Sequence, residues 1–98
     1  MATNRLKIKK AADYLKVIAH PTRLEIIHLL DGKRTLTVSQ ICTKLEIEQS
    51  LVSHHLASMR NKGVLKADRD GINISYSILD PKVMEIIQVA MNSKTIKQ

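Results

Sequence analysis

Apolar residues recur at helical spacing along most of this chain and alternate with polar residues in one later segment. Positions three or four residues apart share a face of a helix, whereas alternate positions share a face of a strand. The helical spacing predicts five helices, at residues 6–19, 21–30, 38–45, 49–62 and 81–92. Because a residue that precedes proline disfavours helical geometry, His20 before Pro21 is expected to separate the first two helices.

The third helix has the clearest start signal in the chain. Thr37 can cap the amide of Gln40 while the Gln40 side chain bonds back to the cap. Only residues 46–48 separate this helix from the fourth, and Gly63 can supply the left-handed residue that ends the fourth helix. Two helices joined by so short a turn form a helix-turn-helix.

The alternating segment predicts a β-hairpin. A half-buried strand is indicated by the alternating residues Ile72, Ile74, Tyr76 and Ile78. Asp70-Gly71 is expected to form a two-residue turn, and residues 64–69 the partner strand. Because no repeat or linker divides the chain, a single domain over residues 1–98 is expected, mainly α with a β-hairpin in the order ααααββα.

The composition implies a small core of aliphatic side chains. Of 98 residues, 44% are hydrophobic, but Tyr14 and Tyr76 are the only aromatic ones. A chain this short buries only roughly 60–65% of its unfolded surface. Since the last predicted helix carries apolar residues on more than one face, a second copy of the chain is expected to cover it in a homodimer.

The charge favours a polyanionic partner. Lys and Arg total 16 against 9 Asp and Glu, which gives a net charge of +7. Such a charge attracts nucleic acid or an anionic membrane surface. No apolar run reaches the roughly 20 residues that a membrane span needs, and the N-terminus lacks the apolar region of a secretory signal. We therefore expect a soluble cytoplasmic protein without a membrane partner.

The segment QSLVSHHLASMRNKGVL, at residues 49–65, is the candidate functional stretch. At 100° per residue, one side of the predicted helix is apolar and carries Val52, Leu56 and Met59, with His55 at its edge. The opposite side carries Ser50, Ser53, His54, Ala57 and Asn61. His55 is therefore expected to pack and hydrogen-bond at the domain edge, whereas His54 points into solvent or a ligand.

Catalysis and DNA binding are two chemistries that this polar side could support. A serine nucleophile needs a base and an orienting third group. Ser50 and His54 could touch, but no acid of the helix shares their face, so we assign no catalytic residue and expect no enzyme.

In the major groove of DNA, Gln49 could pair with adenine, and Ser53 could bond to a base or a phosphate. A helix face that only met solvent would carry more Lys and Glu than serine and alanine. Because this face carries serine and alanine instead, double-stranded DNA is the expected partner.

A metal site is the third chemistry, and the spacing of the ligands argues against it. His54 and His55 point about 100° apart on a helix, so they cannot chelate one ion together. His20 and His28 are too far apart in sequence for one helical site. Cys42 is the only cysteine, which excludes an intrachain disulfide, and its helical spacing predicts a buried, inert thiol. A metal could be held only by residues assembled across the fold, and we expect neither a metal nor another cofactor.

Three segments of the chain occur in the order and spacing of a known protein family. They are AHPTRLEIIHLL, LTVSQICTKLEIEQSLVSHHLASMRNKGVL and YSILDPKV. Together, over about residues 15–87, they resemble the ArsR/SmtB family of bacterial winged helix-turn-helix repressors. The resemblance implies a winged helix-turn-helix fold and a homodimer joined by the first and last helices, at about residues 6–19 and 81–92. It also implies two recognition helices that enter DNA on one face.

The resemblance also implies which residues contact DNA. They are Val38, Gln49, Ser50, Ser53, His54, Arg69 and Asn73. The four residues of the fourth helix would enter the groove, Val38 would lie against the backbone, and the two hairpin residues would flank the minor groove or its phosphates. Arg23 matches a near-standard arginine of the family, which could be structural or could contact a phosphate.

The residues that serve as sensors in the family are replaced in this chain. Many members bind metal through a paired-cysteine motif of the form LCVCDL, but here LTVSQI places Thr37 and Ser39 where the thiols would be. Others use ligands on the last helix, of which Asp80 matches the first. The remaining ligand positions hold Lys82, Ser93 and Ile96. Sulfur-sensing members need two cysteines, so the sequence assigns no effector.

Two glutamates in the predicted turn also depart from the family. Glu46 replaces the usual glycine, so left-handed geometry there would cost about 1 kcal/mol. Glu48 replaces the usual serine, and its carboxylate suits the helix dipole but repels a nearby phosphate. We therefore expect a modest, salt-sensitive affinity for DNA.

Two functions are compatible with these features. The first is a sequence-specific transcriptional regulator, a homodimeric repressor bound to an inverted-repeat operator. The alternative is a DNA-organising or protein-interaction module of the same fold that senses nothing. The ratio of specific to non-specific DNA affinity separates them.

Overall fold

Five helices and a small antiparallel sheet form the described part of the chain. A computed structural model describes the backbone of residues 2–94 and the side chains of residues 4–94. In chain order the elements are α1 (Ala2–Ile18), α2 (Pro21–Leu29), β1 (Leu36–Thr37), α3 (Val38–Leu45), α4 (Gln49–Asn61), β2 (Leu65–Asp70), β3 (Asn73–Ile78) and α5 (Lys82–Met91). The prediction of a mainly α winged helix-turn-helix is confirmed, with one strand added to the expected order.

The added strand, β1, joins the helix-turn-helix to the hairpin. Its two residues pair antiparallel with the middle strand, Leu36 opposite Tyr76 and Thr37 opposite Ser75, and the strand order is β1-β3-β2. Sequence patterning missed this strand because two residues are too few to show alternation. The pairing holds the start of α3 against the sheet.

Two local signals set the ends of the second and third helices. The backbone of His20 is extended, with φ −148° and ψ 129°, as expected before proline, and its side chain accepts a hydrogen bond from the Thr22 amide. The predicted capping box of α3 is present, since Thr37 accepts from the Gln40 amide and the Gln40 side chain accepts from the Thr37 amide. By contrast, α1 begins at Ala2, earlier than predicted, because no residue before position 6 breaks a helix.

The tip of the hairpin differs from the prediction by one position. Asp70 pairs with Asn73, so the two loop residues are Gly71 and Ile72 rather than Asp70-Gly71. Gly71 has a φ of 65°, and a glycine with positive φ at the first loop position suits a tight hairpin turn. Ile72, which was expected to lie in the half-buried strand, is therefore at the apex and 94% exposed.

The core is aliphatic, as the composition predicts. Its buried members are Ile18, Ile26, Ile27, Leu30, Ile41, Val52, Leu56, Met59, Val64, Leu65, Val83, Met84 and Ile87. They come from every helix, from the residue after α2, from β2 and from the residue before β2. Leu24 of α2 is half-buried and packs against this cluster. Within residues 2–94, no helix is both long and apolar enough to cross a membrane.

Candidate nucleic-acid interface

The turn between α3 and α4 is as short as predicted and contains one left-handed residue. Glu46 caps α3 with φ 55° and ψ 46°, and its amide donates to the carbonyl of Cys42. The family-typical glycine is absent from a position whose conformation favours glycine. The chain then passes Ile47 and Glu48 and enters α4 at Gln49.

The inner face of α4 is buried as predicted. Val52, Leu56 and Met59 have no exposed surface, and His55 is 4% exposed. Four buried residues on one side of a helix anchor it firmly against the core, because each buried aliphatic side chain contributes about 1.5–3 kcal/mol. The opposite side of α4 is thereby held outward at a fixed angle.

Arg23 connects α4 to the first two helices. Its Nε donates a 2.9 Å hydrogen bond to Nδ1 of His55, and its Nη1 donates a 3.0 Å bond to the carbonyl of Val17. One guanidinium from α2 thus bonds to the end of α1 and to the inner side of α4. The structural role that was considered for Arg23 is confirmed.

Two further imidazoles lie beside His55. The ring centroid of His20 is 4.5 Å from that of His55, and the ring centroid of His54 is 5.7 Å from it. Burial lowers the pKa of His55 from its ordinary value of 6.5, and the nearby charges of His20, Arg23 and His54 lower it further. Sequence spacing did not place His20 next to α4, because the contact joins residues that are distant in the chain.

The outer face of α4 carries the residues predicted to contact DNA. Gln49, Ser50 and His54 are exposed, whereas Ser53 is half-buried. Ala57, which was expected to face outward, is also half-buried. The four predicted residues therefore lie together on the first two turns of one helix, with Ser53 at the boundary between solvent and core.

The N-terminal end of α4 contains a contact that the sequence did not predict. The hydroxyl of Ser50 donates a hydrogen bond to the carboxylate of Glu48. Glu48 is the N-cap residue, but its side chain makes no capping bond to the helix backbone. A negative charge therefore lies beside two predicted DNA contacts, Gln49 and Ser50.

The other predicted contacts lie on different elements. Val38, the first residue of α3, is half-buried and packs against the core, so only part of its side chain is accessible. Arg69 and Asn73 are both exposed near the hairpin tip. Arg69 pairs with Ile74, whereas Asn73 pairs with Asp70. Because paired residues share a face, Arg69 and Asn73 project from opposite faces of the hairpin.

At two of the candidate sensor positions, Thr37 and Asp80, the side chain accepts a hydrogen bond from a backbone amide. In residues 4–94, no group of three His, Cys, Asp or Glu side chains is placed to hold a metal ion. The carboxylate of Asp80 accepts a 3.0 Å hydrogen bond from the Lys82 amide. Asp80 also lies near Tyr14, whose pKa is raised by burial and secondarily by this carboxylate. Cys42 is half-buried rather than buried, and Ile96 lies outside the described residues.

Comparison with known proteins places this geometry in a family. The model of the bacterial regulatory proteins of the arsR family matches residues 20–67. Over 84 residues the chain is 45% identical to the transcriptional repressor PagR of Bacillus anthracis, covering 86% of this chain and 84% of PagR. The chain belongs to the ArsR family. Like its named relatives, this ArsR-family chain is a transcriptional regulator with a DNA-binding helix-turn-helix, and the family consists of regulators rather than enzymes.

Solved structures of transcriptional regulators share most of the fold. The crystal structure of PagR superposes with a TM-score of 0.77 at 44% identity and covers 88% of this chain and 98% of PagR. A predicted DNA-binding transcriptional regulator from E. coli superposes with a TM-score of 0.80 at 33% identity, covering 94% and 97% of the two chains. The similarity therefore extends beyond the helix-turn-helix to the hairpin and the outer helices of the ArsR fold.

Proposed function

We propose that this regulator is a homodimeric repressor that binds an inverted-repeat operator through the outer face of α4. The observation that carries the proposal is the division of α4 into a fully buried apolar side and an exposed side of small polar residues. A helix presented in this way fits the major groove. Residues 1–98 would act as one DNA-binding domain, and the regulator would act in the cytoplasm.

Base discrimination in this proposal comes from the first two turns of α4. Gln49 and His54 are exposed and have side chains that reach base edges, while Ser50 and Ser53 supply short donors. The net charge of +7 supplies the non-specific part of the affinity. Among the basic residues, Arg60 and Lys62 are exposed at the C-terminal end of α4, where they could reach phosphates.

The hairpin would act as the wing, and each of its two faces would contribute little to DNA binding. Since Arg69 and Asn73 project from opposite faces of the hairpin, the two side chains cannot both point directly at one bound duplex. Arg69 is the stronger candidate for a phosphate contact because Asn73 lies opposite the carboxylate-bearing Asp70. Asp68 adds a second negative charge to β2, the strand that carries Arg69 and Asp70.

Dimerisation in this proposal uses α1 and α5. An apolar groove of about 480 Å³ lies between these helices and α2, lined chiefly by Leu15, Ile18, Leu24, Ile86, Ile87 and Met91. Leu15, Ile86, Val89 and Met91 are 45%, 39%, 73% and 58% exposed. A second copy of the chain would cover these side chains and place two α4 helices on one face of the duplex.

Selection of bound sequences from a random duplex library would test this function. The library is incubated with the purified protein, bound duplexes are sequenced, and the affinity for the enriched sequence is compared with that for a shuffled duplex at the same salt. The proposal predicts an enriched inverted repeat and an affinity ratio of at least about 10³. A ratio near one would instead support the DNA-organising or protein-interaction alternative, which the replaced sensor residues favour.

A further inference from the structure

Three imidazoles and one guanidinium meet where α4 packs against the start of α2. His55 is at the centre, with its ring 4.5 Å from that of His20 and 5.7 Å from that of His54, measured between centroids. Arg23 donates to it at 2.9 Å. This cluster lies directly beneath the outer face of α4, because His54 is the next residue to His55 and belongs to that face.

The hydrogen bond from Arg23 determines the protonation state of His55. Arginine is a donor only, so Nδ1 of His55 must present a lone pair and the imidazole is neutral with its proton on Nε2. A proton added to Nδ1 would remove the acceptor. It would also place two positive charges side by side at a site that is 4% exposed to solvent.

The groups that face His55 offer no compensating negative charge. His20 faces it from the turn before α2, Arg23 from α2 and His54 from α4 itself. The end of α1 contributes the carbonyl of Val17, which already accepts from Arg23. Among residues 4–94, no carboxylate lies within ion-pair distance of Arg23 or of these imidazoles. Protonated His55 would therefore be repelled from α2 rather than held by it.

We propose that Arg23 and His55 form a proton-sensitive positioning pair, which holds α4 in its DNA-binding orientation when His55 is neutral and releases α4 when His55 is protonated. The pair would act through the position of α4, since His55 is buried and Arg23 donates inward to His55 and to the carbonyl of Val17. The proposal rests on the proposed function of α4 as the DNA-binding helix. It assigns to this regulator a response to acid, which requires no metal or thiol.

The direction of the response follows from the linkage between protonation of His55 and DNA binding. The pKa of His55 is lowered from 6.5, first by burial and then by the neighbouring charges, so the pair is intact at neutral pH and opens at more acidic pH. If only the neutral form binds DNA well, affinity falls by up to about tenfold per pH unit below the pKa of His55. Conversely, DNA binding must lower the pKa of His55, because linkage between two binding events is reciprocal.

A titration of operator affinity against pH tests the pair. Fluorescence anisotropy with the enriched duplex, at constant ionic strength between about pH 5 and pH 8, gives the slope of affinity against pH for the wild type and for His55→Asn. Asparagine can present its Oδ1 near the position of Nδ1 and cannot titrate. The wild type is expected to lose up to about tenfold more affinity per pH unit in the acidic range than the variant.

Equal slopes for the wild type and His55→Asn would overturn the proposal. Because the variant could fail to fold, NMR supplies a second test on the unaltered protein, in which the imidazole signals of His55 are titrated with and without operator DNA. The proposal predicts a lower His55 pKa in the complex, and an equal or higher pKa in the complex contradicts it. Absence of specific DNA binding at pH 8 would refute the proposed function itself, whereas specific binding that does not change with pH refutes only the positioning pair.

Discussion

The hydroxyl of Ser50 donates a hydrogen bond to the carboxylate of Glu48 at the beginning of α4. The bond holds one predicted DNA contact against a negative charge, and Glu48 itself forms no capping bond to the helix. DNA phosphates that approach this end of the helix meet the carboxylate before they meet the positive end of the helix dipole. If α4 binds DNA as proposed, Glu48 should limit DNA affinity while it favours the isolated helix.

Glu48→Gln should tighten DNA binding. The substitution removes the repulsion of nearby phosphates while keeping the shape of the side chain, so Kd should fall by about threefold to tenfold at low salt. The loss of the favourable interaction with the helix dipole should reduce the free energy of unfolding by less than about 1 kcal/mol. Anisotropy titration and urea denaturation measure the two effects.

Asp31→Asn is the matched control for Glu48→Gln. Asp31 lies in the loop after α2, outside α1, α4 and α5, so the control makes the same change of net charge away from the proposed DNA-reading and dimer helices. Its affinity for DNA should stay within about twofold of the wild type. Equal tightening by both variants would show that net charge, and not the position of Glu48, governs the affinity.

Glu46→Gly should stabilise the protein. Glu46 has a φ of 55°, and left-handed geometry costs a residue with a side chain about 1 kcal/mol relative to glycine. The free energy of unfolding in urea should therefore rise by roughly 1 kcal/mol. Glu46→Ala removes the same carboxylate but keeps the Cβ, so it should give no comparable gain. If Glu46→Ala raised the free energy of unfolding as much as Glu46→Gly, the loss of negative charge, and not the left-handed backbone, would explain the gain.

His55 should make stability depend on pH in one direction. Its pKa is lowered below 6.5 in the folded protein, so the unfolded chain takes up a proton first as the pH falls. The contribution of neutral His55 to the free energy of unfolding is fully present above about pH 6.5. It is lost as the pH falls from there towards the pKa of His55 in the folded protein. Thermal unfolding midpoints between pH 5 and pH 8 should fall more for the wild type than for His55→Asn. Parallel curves would show that His55 does not cause the dependence.

Val89→Glu should convert the proposed dimer into a folded monomer. Val89 is 73% exposed on α5, so a glutamate there costs a single chain little but would be buried in the dimer. Light scattering after size exclusion should give about half the mass of the wild type, and operator affinity should fall with it. Ile72→Glu is the control for the mass alone, because Ile72 is 94% exposed at the tip of the proposed wing, away from α1 and α5. A dimeric Val89→Glu protein would contradict the proposed interface.

Local signals predicted the helix-turn-helix well. The capping box at Thr37 and Gln40, the short turn and the burial of Val52, Leu56 and Met59 all depend on residues close together in sequence. The same is true of Gly63, whose φ of 76° follows α4 as expected. Such features are readable because hydrogen bonds and apolar spacing within one element determine them.

Features that depend on distant residues could not be predicted in the same way. The bond from Arg23 to His55 spans 32 positions, and β1 exists only because it pairs with β3. The register at the hairpin tip placed Ile72 in the loop and separated Arg69 from Asn73, and a shift of one residue is enough to move a side chain to the other face. These are properties of tertiary packing, which spacing along the chain does not encode.

The most direct test of the account is the specificity ratio of two α4 variants. Ser53→Ala and His54→Ala each remove a polar group from the outer face of α4 and keep its four buried side chains, Val52, His55, Leu56 and Met59. For each purified variant, gel shifts with the enriched duplex and with a shuffled duplex give the ratio of affinities, and analytical size exclusion confirms the dimer. The account predicts that the fold and dimer persist, that non-specific affinity changes little, and that affinity for the enriched duplex falls at least about tenfold. Wild-type affinity and ratio in both variants would contradict the claim that this face of α4 reads DNA.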